Sequence, residues 1–274
     1  MLKIKNTYFN SYPIIFHHHG YVPNDFLFLL GIDIKKQVFN YFSDGSNKTF
    51  RGRKEKVDYP IPRLSNLSSQ FSNELTIFMI NNLKEKGSAA RSLDYFNFPY
   101  TVVGKDIVKF TFYKKYQEIT NFIPSVKTKY LMLLDSDDVF ITGQLDNLIE
   151  TFEKDLSCKM LFNAGATDYP IEENNIICKK QTEFENSLAP KNTLFKYLNS
   201  GVWIANVDFL KETYKTLVKL GSDCFDDQAI FKKFYNIFYP EVKIDYCCKY
   251  FQTLRFPNKF DEKYNMQLEL EIKD

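Results

Sequence analysis

Charge of one sign is missing from this sequence: 36 lysines and arginines face 34 aspartates and glutamates, a net of +2 over 274 residues. No global field therefore draws the chain to nucleic acid, and its one basic run, Arg51-Gly-Arg-Lys-Glu-Lys56, reads as a solvated loop. Long apolar runs are missing as well. Phe26-Leu-Phe-Leu-Leu-Gly-Ile32 falls far short of the ~20 residues that cross a bilayer, so no membrane span is expected. Met1-Leu-Lys-Ile-Lys5 leads into polar Asn6-Thr-Tyr8 and not into an apolar signal core, which points to a cytoplasmic protein. The five cysteines (Cys158, Cys178, Cys224, Cys247, Cys248) are odd in number and lack CxxC spacing. They read as reduced, mostly buried thiols of a cytosolic protein and speak against a structural zinc site. Histidine is scarce too: the three copies are consecutive, His17, His18 and His19.

What is present suits one large α/β domain, with 44% hydrophobic residues, 18 Tyr and 27 Phe. From Leu75 onward, strand-like and helix-like patterns alternate. Strands are expected at Leu75–Ile80, Tyr100–Val103, Leu131–Leu134, Met160–Asn163, Val202–Ala205 and Val242–Ile244. Helices are expected at Gly87–Phe96, Phe110–Phe122, Leu145–Glu153, Val207–Leu220 and Asp226–Phe238, giving parallel βαβ units. Residues 174–191 read as a polar loop, and Gln267–Ile272 alternates like a half-exposed strand. Before Leu75 the chain shows strands at Leu2–Asn6 and Pro13–Phe16, a possible helix near Lys35–Phe42, then a turn-rich stretch with the composition of a surface excursion.

The chemistry concentrates in Leu131-Met-Leu-Leu-Asp-Ser-Asp-Asp-Val-Phe140. An apolar run of this kind is a strand buried on both faces, and ligands of open α/β sheets bind beyond the carboxyl ends of such strands. Asp135, Asp137 and Asp138 crowd there and repel one another unless a cation sits among them. Their hard oxygens suit Mg²⁺ or Mn²⁺. A solvated, Asp-rich helix cap is the plain alternative. The histidine cluster sits at a strand end, where an imidazole is a common borderline ligand, or belongs merely to the surface. Leu198-Asn-Ser-Gly201 offers an amide, a hydroxyl and a glycine without Cβ just before a strand. Asp226-Asp-Gln228 opens a helix, where the acids either cap it or act on a ligand.

In this order and spacing the motifs resemble the GT-A fold glycosyltransferases that use nucleotide-diphospho-sugars, and in particular the glycosyltransferase domain of the procollagen lysyl hydroxylases. The resemblance runs from about Leu75 to Asp274 and is carried by Leu133-Leu-Asp-Ser-Asp-Asp-Val139, Leu161-Phe-Asn-Ala164 with Tyr169-Pro170, Leu198–Gly201, Asp226–Gln228, and Asp245 with Phe251-Gln-Thr-Leu254. It implies an α/β fold of the GT-A (Rossmann-like) kind, a mostly parallel mixed sheet with flanking helices in a single domain. It implies Mn²⁺ (or Mg²⁺) held by Asp135 and Asp138, and a UDP-sugar donor lying against Ile80, Asn82, Lys114, Asp137, Ser200, Gly201 and Gln228. It further implies that Asp226, Asp227 and Asn199 act on the transferred hexose, glucose or galactose, with retention of configuration, and that the acceptor is a protein or glycan such as a collagen-like chain.

The family's third metal ligand is a histidine beyond its FQxL segment, where this chain ends. The family's tail resembles this chain's own beginning, so the expected arrangement is a circular permutation with His17 as third ligand, His18 and His19 remaining open. Residues 1–20 would complete the core, 21–73 would join the pieces, and 74–274 would form the transferase core. Departures from the family pattern stand at Tyr169 (a tryptophan in the family), Gly165 (a glutamate) and Asp137 (an aromatic). The lysine that follows the family histidine has no counterpart near Pro23. Two rivals compete. Asp135-Ser-Asp-Asp-Val139 also fits a haloacid-dehalogenase-type phosphatase, with Asp135 as nucleophile and Asp137 as general acid. The departures also suit a catalytically degenerate UDP-sugar-binding domain.

Overall fold

The computed structural model describes residues 2–6, 9–18, 32–33, 38–41, 57–60, 74–141, 145–155, 157–170, 176–191, 193–224, 226–254 and 268–272. Its strands are β1 (Leu2–Asn6), β2 (Ile15–His18), β3 (Ile32–Asp33), β4 (Val38–Tyr41), β5 (Val57–Pro60), β6 (Leu75–Ile80), β7 (Thr101–Val103), β8 (Tyr130–Leu134), β9 (Val139–Ile141), β10 (Met160–Gly165), β11 (Tyr197–Asn206), β12 (Val242–Ile244), β13 (Phe251–Leu254) and β14 (Leu268–Ile272). Its helices are α1 (Ser88–Phe96), α2 (Phe112–Phe122), α3 (Asp146–Asp155), α4 (Ile176–Leu188), α5 (Val207–Glu212), α6 (Tyr214–Leu220) and α7 (Asp227–Phe238).

Six strands form the central sheet in the order β12-β10-β11-β8-β6-β7. The pairs β6–β7, β6–β8 and β10–β12 are parallel, and β11 alone runs against its neighbours. The fold class is the expected one, α/β with a mostly parallel mixed sheet and flanking helices. Its core lies on both faces of the sheet, as the uninterrupted apolar run of β8 requires. Leu131 and Leu133 enter a cluster with Phe78, Phe162, Trp203 and Phe231. Tyr130, Met132 and Leu134 enter a second cluster with Ile77, Met79 and Leu93. Both sets are sealed from solvent, so every residue of β8 contributes to burial.

A second sheet of three strands, β13-β2-β9, lies beyond the end of β8. There β2 runs parallel to β13 and antiparallel to β9, pairing His17 with Thr253 on one side and with Val139 on the other. Asp245 fixes the start of β13 by accepting from the backbone N–H groups of Lys249, Tyr250 and Phe251. At the termini, β1 pairs with β14 from Leu2–Ile272 to Asn6–Leu268. Asn6 also donates a side-chain hydrogen bond to Gln252 at 2.6 Å.

Four expectations need correction. The segment near Lys35–Phe42 contains β4, paired with β3 and β5, because Val38, Phe39 and Tyr41 favour extended backbone over helix. The supposed loop 174–191 contains α4. Its inner stripe Gln181, Phe184, Glu185 and Leu188 has helical spacing, but two of the four are polar, which hides the periodicity. Leu198–Gly201 lies inside β11 and not before it, with a register shift opposite Phe162 and Asn163 that accommodates the bend. The helix expected over Val207–Leu220 breaks at Thr213, whose hydroxyl donates to the carbonyl of Phe209 at 2.7 Å.

A candidate metal centre at the strand tips

The site grows from the end of β8. Asp135 leaves the strand with its N–H donating to the carbonyl of Gly201 at 2.8 Å, so the acidic motif and the glycine are adjacent. The chain then turns back into β9. The carbonyl of Ser136 in that turn accepts from Ala89 N–H in the first turn of α1 at 3.0 Å, which pins the turn to a helix start. Because Val139 pairs with His17, Asp138 is brought beside the imidazole. His17 Nε2 lies 3.3 Å from Asp138 Oδ2 and 3.7 Å from Asp135 Oδ2. One ligand atom from each of His17, Asp135 and Asp138 falls within 4.8 Å of the others.

These residues fit a hard or borderline divalent cation in chemistry and in space. One imidazole and two carboxylates are a donor set for Mn²⁺ or Mg²⁺. Gly201 keeps the space open: a Cβ there would meet His17 Cε1 at 2.5 Å and Asp135 Oδ2 at 2.6 Å. Burial works against charge on His17, but Asp138 and then Asp135 outweigh it and raise its pKa. Desolvation raises the Asp135 carboxyl, opposed by Lys115 and reinforced by Asp138. A bound cation would reverse both trends, since it needs a neutral imidazole and ionised carboxylates.

Around this cluster runs a buried polar chain. Lys115 on α2 is 5% exposed, yet its ammonium lies 2.7 Å from Asp135 Oδ1 and 2.9 Å from Asp227 Oδ2. Burial opposes its charge, and the two carboxylates more than compensate, so its pKa is raised. Asp227 also accepts from Ser200 Oγ at 2.8 Å, and Ser200 N–H donates to Gln228 Oε1 at 3.2 Å. Gln228 in turn donates to the carbonyl of Tyr169 at 2.9 Å. Asn199 Oδ1 accepts from Gly201 N–H at 3.0 Å and approaches Asn163 Nδ2 at 3.4 Å, and Asn163 reaches His17 Nδ1 at the same 3.4 Å. Thr253 anchors Asn163 by accepting from it at 2.9 Å while donating to Ala164.

The sequence-derived candidates therefore divide. His17, Asp135, Asp138, Asn199, Ser200, Gly201, Asp227 and Gln228 share one connected site. Asp226 stands at its edge as the N-cap of α7, accepting from Ala229 N–H at 3.0 Å. It is half-buried, and desolvation raises its carboxyl. Ile80 and Asn82 lie at the neighbouring strand end, where Asn82 donates to the carbonyl of Ile107 at 3.1 Å. Asp137 turns toward α1, its Oδ1 lying 2.4 Å from where a Cβ on Gly87 would stand. Lys114 is exposed and its backbone N–H is spent on the Thr111 cap, whereas its neighbour Lys115 faces inward with Tyr116, Ile119 and Thr120. Helical spacing in 112–122 was the available signal for Lys115. His18 belongs to β2, and His19 lies outside the described residues.

A second buried ionic group also escaped the sequence reading. Lys232 on α7 pairs with Asp168 and with Glu185 on α4, the latter at 3.4 Å. Glu185 is fully buried, and desolvation pushes its carboxyl up to about 7, with Lys232 opposing and Asp168 reinforcing. The expectation of mostly buried thiols holds for Cys248 alone among the described cysteines. Cys247 is exposed, Cys158 and Cys224 are intermediate.

No protein-family model matches the chain. No curated protein matches it. Among solved structures it is similar to a glycosyltransferase involved in glycosylation of the major capsid of PBCV-1, at 12% identity and a TM-score of 0.39, over 62% of this chain and 81% of that one. It is similar to mouse xyloside xylosyltransferase 1, at 14% identity and a TM-score of 0.32, over 59% of this chain and 55% of that one. It is similar to the glycosyltransferase GlyE of Streptococcus pneumoniae TIGR4, at 16% identity and a TM-score of 0.36, over 63% of this chain and 45% of that one.

Proposed function

We propose that the protein is a metal-dependent glycosyltransferase that moves a hexose, glucose or galactose, from a UDP-sugar to an acceptor hydroxyl. The convergence of His17, Asp135 and Asp138 under the cradle of Gly201 carries this reading. His17, Asp135 and Asp138 would hold a divalent ion, which would supply Lewis-acid neutralisation of charge on a leaving diphosphate. The chain's own residues do the rest. Lys115 fixes the orientation of Asp135 and Asp227 and balances their charge, a preorganised electrostatic frame. Asn199, Ser200 and Gly201 line the donor sugar, with backbone approach left open at Gly201. Asp227 is already committed to Lys115 and Ser200, so its part is to hold the frame. Asp226, less buried than Asp227 and beside Tyr169, positions an acceptor hydroxyl with the carboxylate that also caps α7. The sequence resemblance supplies the acceptor class, a collagen-like protein or its glycan, and retention of configuration.

The permuted reading of the chain belongs to the same proposal: residues 1–20 complete the core, 21–73 join, and 74–274 form the transferase. Its support is the pairing of β2 between β13 and β9, and of β1 with β14. The decisive experiment is hydrolysis of UDP-glucose and UDP-galactose with Mn²⁺, with Asp138→Ala as control. Metal-dependent release of UDP that vanishes in the variant supports the proposal. UDP binding without turnover of any UDP-hexose would favour a degenerate binding domain, and turnover indifferent to chelator or to the variant contradicts the metal role.

A further inference from the structure

Two loops leave the same end of the central sheet, 81–87 after β6 and 104–111 after β7. Parallel pairing of Ile80 with Val103 starts them side by side, and Asn82 donates to the carbonyl of Ile107, tying one to the other. Asn81 N–H donates to the carbonyl of Val103, and Ile107 N–H to that of Gly104, so both loops have defined backbones. Their surface is unusual. Val108 is 100% exposed, Leu83 58%, and the rings of Phe110 and of Phe112, at the start of α2, 40% and 47%. The same stretch exposes Lys84, Lys86, Lys105, Lys109 and Lys114 against the exposed acids Glu85 and Asp106. Lys86 is paired with Asp94 at 2.7 Å.

We propose that this apolar, lysine-flanked rim is a docking surface for an anionic lipid bilayer. The mixture of residues decides between occupants. Protein interfaces bury aromatic residues but exclude lysine from their centres. At a bilayer surface, aromatic and aliphatic side chains sink to the headgroup–acyl boundary while lysine stems run alongside and carry their ammonium groups to lipid phosphates. Clustered lysines add an attraction for acidic headgroups that is confined to about a Debye length. Among the described residues no helix is long and apolar enough to cross a membrane, and docking of this kind needs none. The rim lies beside the candidate site, since Phe112 meets Tyr169 with ring centroids 6.2 Å apart. A docked protein would therefore hold the mouth of that site close to the lipid surface. The proposal stands independently of what the site transfers.

The test is co-sedimentation of the full chain with vesicles of phosphatidylcholine alone and with roughly one-quarter phosphatidylserine. Binding to the mixed vesicles only, weakening with salt, is expected. Val108→Asp with Phe110→Ser, and separately Lys105→Glu with Lys109→Glu, should each lower the partition by about tenfold or more. Unchanged melting temperatures would show that both variants fold. Absence of binding, or equal binding by the first variant, overturns the proposal. So does a concentration-dependent dimer in lipid-free buffer that the first variant abolishes, because the rim would then be a contact between copies.

Discussion

Replacing Lys115 with methionine keeps the length and apolar stem of the side chain but removes the ammonium that bridges the buried carboxylate of Asp227 and the partly buried one of Asp135. Its ammonium lies 2.7 Å from Asp135 and 2.9 Å from Asp227, and Asp227 is only 2% exposed. Breaking a buried ion pair by removing one partner costs about 3–5 kcal/mol, because the other charge stays behind without compensation. For a chain of this size each kcal/mol lowers Tm by roughly 2–4 °C, so thermal unfolding should begin roughly 6–20 °C lower. Two features separate this origin from a generic packing defect. Asp227→Asn in the Lys115→Met background should recover part of the loss, since the amide can still accept from Ser200 and no longer carries an orphan charge. Mn²⁺ should also raise the variant's Tm more than the native protein's, because a cation beside Asp135 no longer meets the repulsion of the ammonium. Differential scanning calorimetry with and without Mn²⁺ gives all three numbers. A drop below about 2 °C, or an equal metal response in both proteins, would refute the reasoning.

Gly201→Ala should weaken Mn²⁺ binding by about tenfold or more, read by calorimetric titration, because its Cβ would come within 2.6 Å of both His17 and Asp135. His17→Ala should abolish metal-induced stabilisation, which in the native protein should reach about 2.7 kcal/mol at a hundredfold excess of metal over Kd. Glu185 binds a proton more readily folded than unfolded, its pKa rising from 4.5 to about 7. Stability from this group is therefore present below about pH 4.5 and lost as pH rises to about 7, a change of roughly 3 kcal/mol. Denaturant titrations across that range should show the decline, and Glu185→Gln should flatten it; an unaltered slope in the variant would remove Glu185 as its cause. Hydrolysis of p-nitrophenyl phosphate should be undetectable, because a phosphatase reading needs a free Asp135 nucleophile, whereas Lys115 and His17 already engage it.

Much of this architecture was legible wherever a residue's role follows from local pattern. The run Leu131–Leu134 announced a strand buried on both faces, and the acids after it announced a site. Pairings across more than a hundred residues of sequence are a different matter. The contact of His17 with Asp138 depends on β2 entering between β13 and β9, and nothing in the local composition of Pro13–Phe16 specifies those partners. Only the resemblance of the chain's beginning to a family's tail pointed there. Buried polar residues were hardest to read. Lys115 looks like half of a solvated Lys-Lys pair, and Glu185 and Gln181 make α4 look like a loop, because burial of charge is decided by distant partners.

The central claim is that one divalent cation joins a strand-tip acid pair to an imidazole from the other end of the chain. Anomalous scattering from crystals grown with MnCl₂ and UDP tests it most directly. The account predicts a single strong manganese peak within about 2–2.5 Å of His17 Nε2 and of carboxylate oxygens from Asp135 and Asp138. Manganese bound elsewhere, with His17 still against the two carboxylates, would contradict it.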